Sequence, residues 1–250
     1  MTFAVTADAY DRFMGRYSSR LSPQLADYAG VRSGQRVIDV GCGPGALTSE
    51  LVDRLGPTNV SAVDPSEPFI AAVRERFPTV DARLAAAEKL PFPDNAFDAA
   101  LAQLVVHFMS DPVAGLREMA RVARRDGVVA ACVWDHAGGP VSIFWRAARE
   151  LDPEVKDESR RAGARAGHLS ELFVEAGLRS VEATVLVVSL AHGDFDEWWE
   201  PFTLGVGPAG AYTAGLDSNR RAQLRERCRE LLPQGPFQLA ARAWTARGLA

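Results

Sequence analysis

Short apolar runs alternate along the chain with segments whose apolar residues recur every three or four positions. The apolar runs lie near residues 36–41, 59–64, 80–86, 96–103 and 127–134, and the helical patterns near 45–55, 66–76 and 111–124. Strand-length apolar runs indicate strands buried on both faces, and regular alternation with helices is typical of parallel strands joined by right-handed crossovers. The pattern therefore predicts an α/β fold built on a mostly parallel sheet.

The C-terminal part of the chain departs from this alternation. A helical pattern near 169–177 precedes an apolar run at 181–190, and a last run lies near 237–245. These runs bring the sheet to about seven strands, of which we expect the last to be antiparallel. The segment 191–235 is too long for a hairpin turn, so we interpret it as a helical insertion that covers the substrate. We expect residues 1–250 to form a single domain.

One strand runs directly into a glycine-rich turn in the segment 36–48, RVIDVGCGPGALT. Gly41 and Gly43 allow the backbone to turn sharply and to approach a ligand, as at the nucleotide end of an α/β sheet. Asp39 precedes them, and a carboxylate there repels a pyrophosphate but attracts a cationic amino-acid group; its alternative role is to orient the turn. Asp64 ends the next strand, where it is suited to accept both hydroxyls of a ribose or, alternatively, to cap a helix.

A phosphate loop is disfavoured because no lysine followed by serine or threonine comes after the glycines. Two further segments, VDPS at 63–66 and AEKLPFPDNAFD at 87–98, extend the pattern. Together with VIDVGCGPGALT at 37–48 they resemble the class I S-adenosylmethionine (SAM)-dependent methyltransferases, in particular the branch similar to the ubiquinone/menaquinone-biosynthesis C-methyltransferases, of the methyltransferase type 11 kind. The resemblance covers roughly residues 10–134, about half of the chain. It implies a Rossmann-like sheet, an N-terminal lid over residues 1–30 and SAM as the cofactor.

The resemblance also implies which residues hold SAM. The glycine turn faces the methionine moiety and the ribose, Asp64 holds the ribose hydroxyls, and Gln103 meets the methionine portion. The segment 9–17, AYDRFMGRY, resembles the lid helix of these enzymes, where a tyrosine and an arginine contact the SAM carboxylate. Tyr10 and Arg16 are the matching residues, although Tyr10 is equally suited to pack the helix onto the body of the protein.

The adenine contacts follow from the same resemblance. Pro65 and Ser66 border the adenine, while Ala87 and Glu88 lie at its amino edge. Ala86 departs from the family pattern, which has an acid at this position. Either Glu88 or a backbone carbonyl must therefore accept from the adenine amine.

The methyl acceptor is less defined by the sequence. Trp198 and Trp199 lie in the insertion and favour an apolar or aromatic small molecule as the substrate, unless they pack a cap helix. If the acceptor must lose a proton, His107 is the first candidate base, with a polar loop residue as its alternative role. The next candidates are Asp135 and His136, just past the fifth strand, and Tyr10.

Composition narrows the functional classes. A net charge of −4 argues against a nucleic-acid substrate, and no apolar run has the length that a membrane span requires. The N-terminus lacks the pattern of a signal peptide, so we expect a cytoplasmic protein. Three widely spaced cysteines argue against both a disulfide framework and a zinc site, and we expect no bound metal.

The predicted function is transfer of a methyl group from SAM to an O, N or C nucleophile of a small molecule. A non-catalytic SAM-binding module is the first alternative, weakly supported by Ala86. An NAD(P)-dependent oxidoreductase is the second, but its pyrophosphate is disfavoured by Asp39 and it leaves the segment 90–98, LPFPDNAFD, unexplained.

Overall fold

The computed structural model describes residues 7–250, with side chains from residue 9 onward. Seven strands form one sheet in the order β3-β2-β1-β4-β5-β7-β6. The strands are β1 (Val37–Val40), β2 (Val60–Asp64), β3 (Asp81–Leu84), β4 (Phe97–Gln103), β5 (Ala123–Trp134), β6 (Arg179–His192) and β7 (Phe237–Leu249). Strands β1 to β5 pair in parallel, and β7 runs antiparallel to both β5 and β6. The predicted mostly parallel sheet with an antiparallel last strand is confirmed.

Helices cover both faces of the sheet. They are α1 (Ala7–Tyr10), α2 (Arg16–Tyr28), α3 (Ala46–Leu55), α4 (Glu67–Arg76), α5 (Pro112–Val122), α6 (Ser142–Leu151), α7 (His168–Glu175), α8 (Phe195–Trp199), α9 (Gly207–Gly215) and α10 (Ser218–Glu230). A π-helical segment, Asp11–Gly15, joins α1 to α2. Buried residues of α2, α3 and α4 form one core with alternate strand residues, and those of α5 and α7 form a second core with the others. All four residues of β1 are buried because both of its faces are covered.

The boundary between α5 and β5 differs from the sequence pattern, which extends the helix to residue 124. The helix ends at Val122 and the strand begins at Ala123. Phe97 pairs with Ala123 whereas Ala99 pairs with Val128, so the extra residues of β5 form a bulge. Arg124 lies in this bulge with its guanidinium 2.7 Å from the Asp98 carboxylate. The polarity of these residues does not predict a strand, but the ion pair between the two neighbouring strands stabilises them in one.

The segment between β6 and β7 contains α8, α9 and α10. Together with α6 and part of the N-terminal segment it encloses a third core, which is rich in aromatic residues. Helix α6 is not among the predicted elements, although Phe144, Trp145 and Ala148 recur in it at helical spacing and are buried. No helix in the part of the chain that the structure describes is long and apolar enough to cross a membrane.

Candidate cofactor and acceptor site

The turn after β1 owes its shape to two glycines in left-handed conformation. Gly41 has φ of +73° and Gly43 of +53°. The N–H groups of Gly41 and Cys42 both donate to the carbonyl of Val63, at 2.8 and 2.9 Å, which fastens the turn to the end of β2. A Cβ at Gly41 would lie 2.1 Å from Val105 Cγ2, whereas a Cβ at Gly43 would have no atom within 4 Å. Gly41 therefore allows close packing, and Gly43 leaves space beside the turn.

Asp64 connects this turn to the helix that follows β2. Its Oδ2 accepts from the Gly43 N–H at 2.9 Å and its Oδ1 from the Ser66 N–H at 2.8 Å. Burial raises the pKa of Asp64, and the two backbone hydrogen bonds oppose that rise. Each carboxylate oxygen can accept a second hydrogen bond, so the side chain can orient the loop and still bind ribose hydroxyls.

Two buried oxygens beside the turn have no hydrogen-bond partner among the described residues. They are Asp39 Oδ1 and Gln103 Oε1. The other carboxylate oxygen of Asp39 accepts from Thr48 Oγ1 at 2.7 Å, and Gln103 Nε2 donates to the Ser18 carbonyl at 3.1 Å. Burial raises the pKa of Asp39 to about 7. A cationic donor such as the SAM ammonium group would satisfy both oxygens, so the residues present fit this cofactor.

Asp39 and Gln103, together with Tyr10, line a small cavity of about 20 Å³. It adjoins a much larger cavity of about 480 Å³, with which it shares Tyr10, Gly41, Gly43 and Gln103. The large cavity brings together these predicted site residues: Tyr10, Gly41, Gly43, Asp64, Pro65, Ala87, Glu88, Gln103 and His107. They meet because the carboxyl ends of β1, β2 and β4 lie at one edge of the sheet.

The predicted adenine end contains Ala86, Ala87, Glu88 and Pro65 in the lining of the large cavity. Glu88 Oε1 accepts from the N–H groups of Ser110 at 2.7 Å and Asp111 at 3.2 Å. This carboxylate therefore shapes the loop after β4, in addition to any role toward adenine. Ser66 is buried at the N-terminus of α4 and does not line the cavity.

Tyr10 belongs to the lid and packs edge-on against Phe69, with 5.6 Å between ring centroids. Burial raises its pKa to about 12, so the hydroxyl keeps its proton at neutral pH. Because its ring also lines both cavities, the packing and cofactor-contact roles are compatible in this residue.

Arg16 lies outside the lining of the large cavity. Its guanidinium is 2.6 Å from Glu197 Oε1 and also donates to the Ala191 carbonyl at 3.4 Å. Arg20 and Gln24 follow at one-turn intervals and donate to the carbonyls of Ser189 and Val187. Four helical residues rise about 6 Å and two strand residues about 6.7 Å, so helix α2 follows the edge of β6 in register. Arg16 thus connects the lid to the edge strand of the sheet.

Trp198 and Trp199 are also absent from the cavity lining. Both are buried, and they pack with Phe144, Phe195 and Phe202 in the aromatic core. Their positions support the packing role that the sequence leaves open rather than substrate contact. The insertion instead reaches the cavity through Val206 and the first residues of α9, at 207–209.

His107 lines the cavity where β4 ends. Burial, with a smaller contribution from the positive charge of Arg161, lowers its pKa to about 3. The ring is therefore neutral at physiological pH, but such a low pKa makes it a poor proton acceptor. His107 therefore lies at the rim of the site as predicted, but its lowered pKa disfavours the predicted role as a base.

The far wall of the cavity was only partly anticipated. It contains Trp134, Asp135 and His136 from the end of β5, and Glu158 and Arg161 from the segment after α6. Asp135 and His136 are secondary candidate bases from the sequence, whereas Glu158 and Arg161 have no sequence signal beyond their charge. No group of three or more His, Cys, Asp or Glu side chains in residues 7–250 is arranged to hold a metal ion.

Comparison with known proteins agrees with this geometry. Residues 38–131, from β1 into β5, match the family described as a methyltransferase domain. Over these residues the chain is similar to methyltransferase domains, a class whose cofactor is SAM. The resemblance inferred from the glycine turn and the segments at 63–66 and 87–98 is thereby confirmed.

Two curated relatives are similar over part of the chain. An uncharacterised methyltransferase of Mycobacterium tuberculosis is 34% identical over 135 residues, which cover 54% of this chain and 52% of the relative. The ubiquinone/menaquinone biosynthesis C-methyltransferase of Chromobacterium violaceum is 34% identical over 122 residues, covering 47% of this chain and 50% of the relative. The chain thus spans about half the length of these relatives.

Solved structures extend the similarity to the whole fold. The YcgJ protein of Bacillus subtilis superposes with a TM-score of 0.59 at 20% identity, over 93% of this chain and 97% of that chain. A phosphoethanolamine N-methyltransferase of Haemonchus contortus, whose structure contains S-adenosylhomocysteine, gives 0.58 at 15% identity, over 97% of this chain and 59% of that chain. At these identities the likeness shows the fold alone.

Proposed function

We propose that the protein transfers the methyl group of SAM to a nucleophile of a small, apolar or aromatic molecule. The observation that carries this proposal is a single cavity that joins the glycine turn to an apolar region. Besides Gly41 and Asp64, its lining includes Phe13, Phe108 and Val206. Its volume of about 480 Å³ lies within the usual range for small-molecule sites, which is roughly 300–1,000 Å³. A module that only bound SAM would not need the apolar extension.

The residues of the chain would hold the cofactor through complementary groups. The unpartnered oxygens of Asp39 and Gln103 suit the ammonium group, and Asp64 suits the ribose hydroxyls. When bound, SAM supplies a methyl group that its sulfonium charge has already activated. The protein then aligns the acceptor and excludes water from the site. The lid residue Tyr10 and the apolar wall of the cavity serve both purposes.

Calorimetric titration with S-adenosylhomocysteine and NADH tests the cofactor assignment. We expect the sulfur compound to bind and NADH not to bind. Asp64→Ala should abolish binding, because it removes both the ribose acceptor and the anchor of the glycine turn. Asp53→Ala is the matched control, since Asp53 is an exposed acid on α3. Binding of NADH by the folded protein would refute the proposal.

The transfer itself is tested by incubating the protein with methyl-labelled SAM and a panel of apolar and aromatic compounds. We expect label to appear in an acceptor only when the protein is present, and Asp64→Ala to abolish it. If S-adenosylhomocysteine binds but no compound of a broad panel is methylated, the non-catalytic SAM-binding alternative is favoured.

A further inference from the structure

The far wall of the cavity contains two carboxylates whose oxygens each face a donor group of the protein. Asp135 Oδ1 accepts from the Ala137 N–H at 3.0 Å, and Oδ2 accepts from Arg242 at 2.6 Å. Glu158 Oε2 accepts from the Trp145 indole N–H at 2.9 Å, and its Oε1 lies 3.6 Å from Arg161 Nε. Each oxygen of these two carboxylates therefore already faces a donor of the protein, although a carboxylate oxygen can accept a second hydrogen bond.

His136 lies in the same wall, and its neighbours decide which ring nitrogen carries the proton. Nε2 lies 2.8 Å from Arg149 Nη1. A guanidinium only donates hydrogen bonds, so Nε2 must accept and the proton of the neutral ring belongs on Nδ1. Asp157 Oδ2 also lies near Nε2, but at 3.2 Å it is farther away than the guanidinium, so the closer contact with Arg149 decides the tautomer.

The proton on Nδ1 has no acceptor in the described part of the protein. Nδ1 of His136 is buried without a hydrogen-bond partner, and so is the indole nitrogen of Trp134. An indole N–H can only donate. A buried donor without a partner costs about 1–3 kcal/mol, and such groups usually meet a ligand or an ordered water. The wall therefore combines engaged acceptors with two unused donors.

We propose that this wall recognises a carbonyl or carboxylate oxygen of the methyl acceptor through the N–H groups of Trp134 and His136. The acceptor is accordingly an apolar or aromatic molecule that carries such an oxygen, and an amine is disfavoured at this position because it leaves the two N–H groups without a partner. His136 acts as a hydrogen-bond donor and not as the general base that its place after β5 suggests. The inference rests on the proposed function, because it assigns the acceptor end of the same cavity.

The first test needs neither cofactor nor substrate. Long-range ¹H–¹⁵N spectra report which nitrogen of each histidine ring is protonated, and single His→Gln variants assign the four rings. At neutral pH we expect His136 to be protonated on Nδ1. Arg149→Met should move the proton to Nε2, where it can donate to Asp157. A wild-type ring protonated on Nε2 would overturn the inference.

The second test compares phenylacetate with phenethylamine in the presence of saturating S-adenosylhomocysteine. The two probes share a phenyl body and differ in offering an oxygen acceptor or an ammonium donor. We expect phenylacetate to bind and to shift the Trp134 indole resonance, and phenethylamine to bind more weakly. Trp134→Phe keeps an aromatic ring but removes the N–H, and should weaken phenylacetate binding by about threefold to tenfold.

Three outcomes count against the inference while leaving the proposed function intact. They are tighter binding of phenethylamine, binding of neither probe, and unchanged phenylacetate affinity in Trp134→Phe, each with S-adenosylhomocysteine bound. Failure of the wild-type protein to bind S-adenosylhomocysteine instead contradicts the proposed function. The cofactor titration and the histidine spectra are independent measurements, so the two failures are distinguishable.

Discussion

Replacing Gly41 by alanine tests why the turn after β1 needs glycine at this position. The left-handed φ of +73° costs a residue with a Cβ about 1–2 kcal/mol. The new Cβ would also lie 2.1 Å from Cγ2 and 2.8 Å from Cβ of Val105, and overpacking of this kind costs about 1–3 kcal/mol. We therefore expect the free energy of unfolding to fall by roughly 2–5 kcal/mol.

Gly43→Ala is the matched comparison. Gly43 also has positive φ, at +53°, but no atom lies within 4 Å of a Cβ placed there. We expect a loss of only about 1–2 kcal/mol in stability. The added methyl group enters the space beside the turn, so this variant should lose affinity for S-adenosylhomocysteine more than it loses stability.

The assays are urea and thermal unfolding for stability and calorimetry for cofactor affinity. In a chain of this size about 1 kcal/mol lowers the melting temperature by about 2–4 °C, so the Gly41 variant should melt well below the Gly43 variant. Val105→Ala removes both methyl groups in the clash, and the double variant should recover part of the Gly41→Ala loss. Equal stability of the two glycine variants, or no coupling with Val105, would refute the reasoning.

Three further predictions concern other residues of the site and its supports. Burial raises the pKa of Asp39 to about 7 from an ordinary value of 3.8, so the folded protein holds a proton that the unfolded chain releases. This contribution to stability is lost as pH rises from about 4 to 7. Affinity for S-adenosylhomocysteine should strengthen over the same pH range, because the ammonium group of the ligand binds the charged Asp39 carboxylate better than the protonated carboxyl group. Urea midpoints and titrations of the wild type and Asp39→Asn across this range check both trends; identical pH profiles would contradict them. Trp198→Ala should cost about 3–5 kcal/mol in unfolding free energy without changing cofactor affinity, and a folded variant with impaired binding would argue for a site role. Glu88→Gln should cost about 1 kcal/mol by weakening the loop after β4, whereas the neighbouring Lys89→Gln should leave thermal stability unchanged.

The predicted site residues that reach the cavity are those whose position follows from strand ends. Gly41, Asp64 and Gln103 come at or directly after the carboxyl ends of adjacent strands. Parallel strands bring these ends to one edge, so local pattern is enough to predict that the residues meet. The same reasoning reaches His107, which follows β4, although it says nothing about the burial that lowers the pKa of that ring.

The sequence did not predict the roles of residues whose partners are distant in the chain. Arg16 fits the lid motif, yet its ion-pair partner Glu197 is 181 positions away in the chain. Trp198 lies in the segment predicted to cover the substrate, but the packing of that segment against α6 buries it. His136 follows a strand end as a candidate base should, and the contact from Arg149 changes its chemistry.

The sequence by itself determined the succession of seven strands along the chain, the glycine turn and the class of cofactor, because these depend on residues close together in the chain. Only the tertiary structure decided which side chains line the acceptor end and what they can do there. Hydrogen-bond roles and pKa values in a buried wall depend on every group packed against it, and those groups come from β5, α6, the segment after α6 and β7. Spacing along the chain carries no information about such contacts, since they form only when the chain has folded.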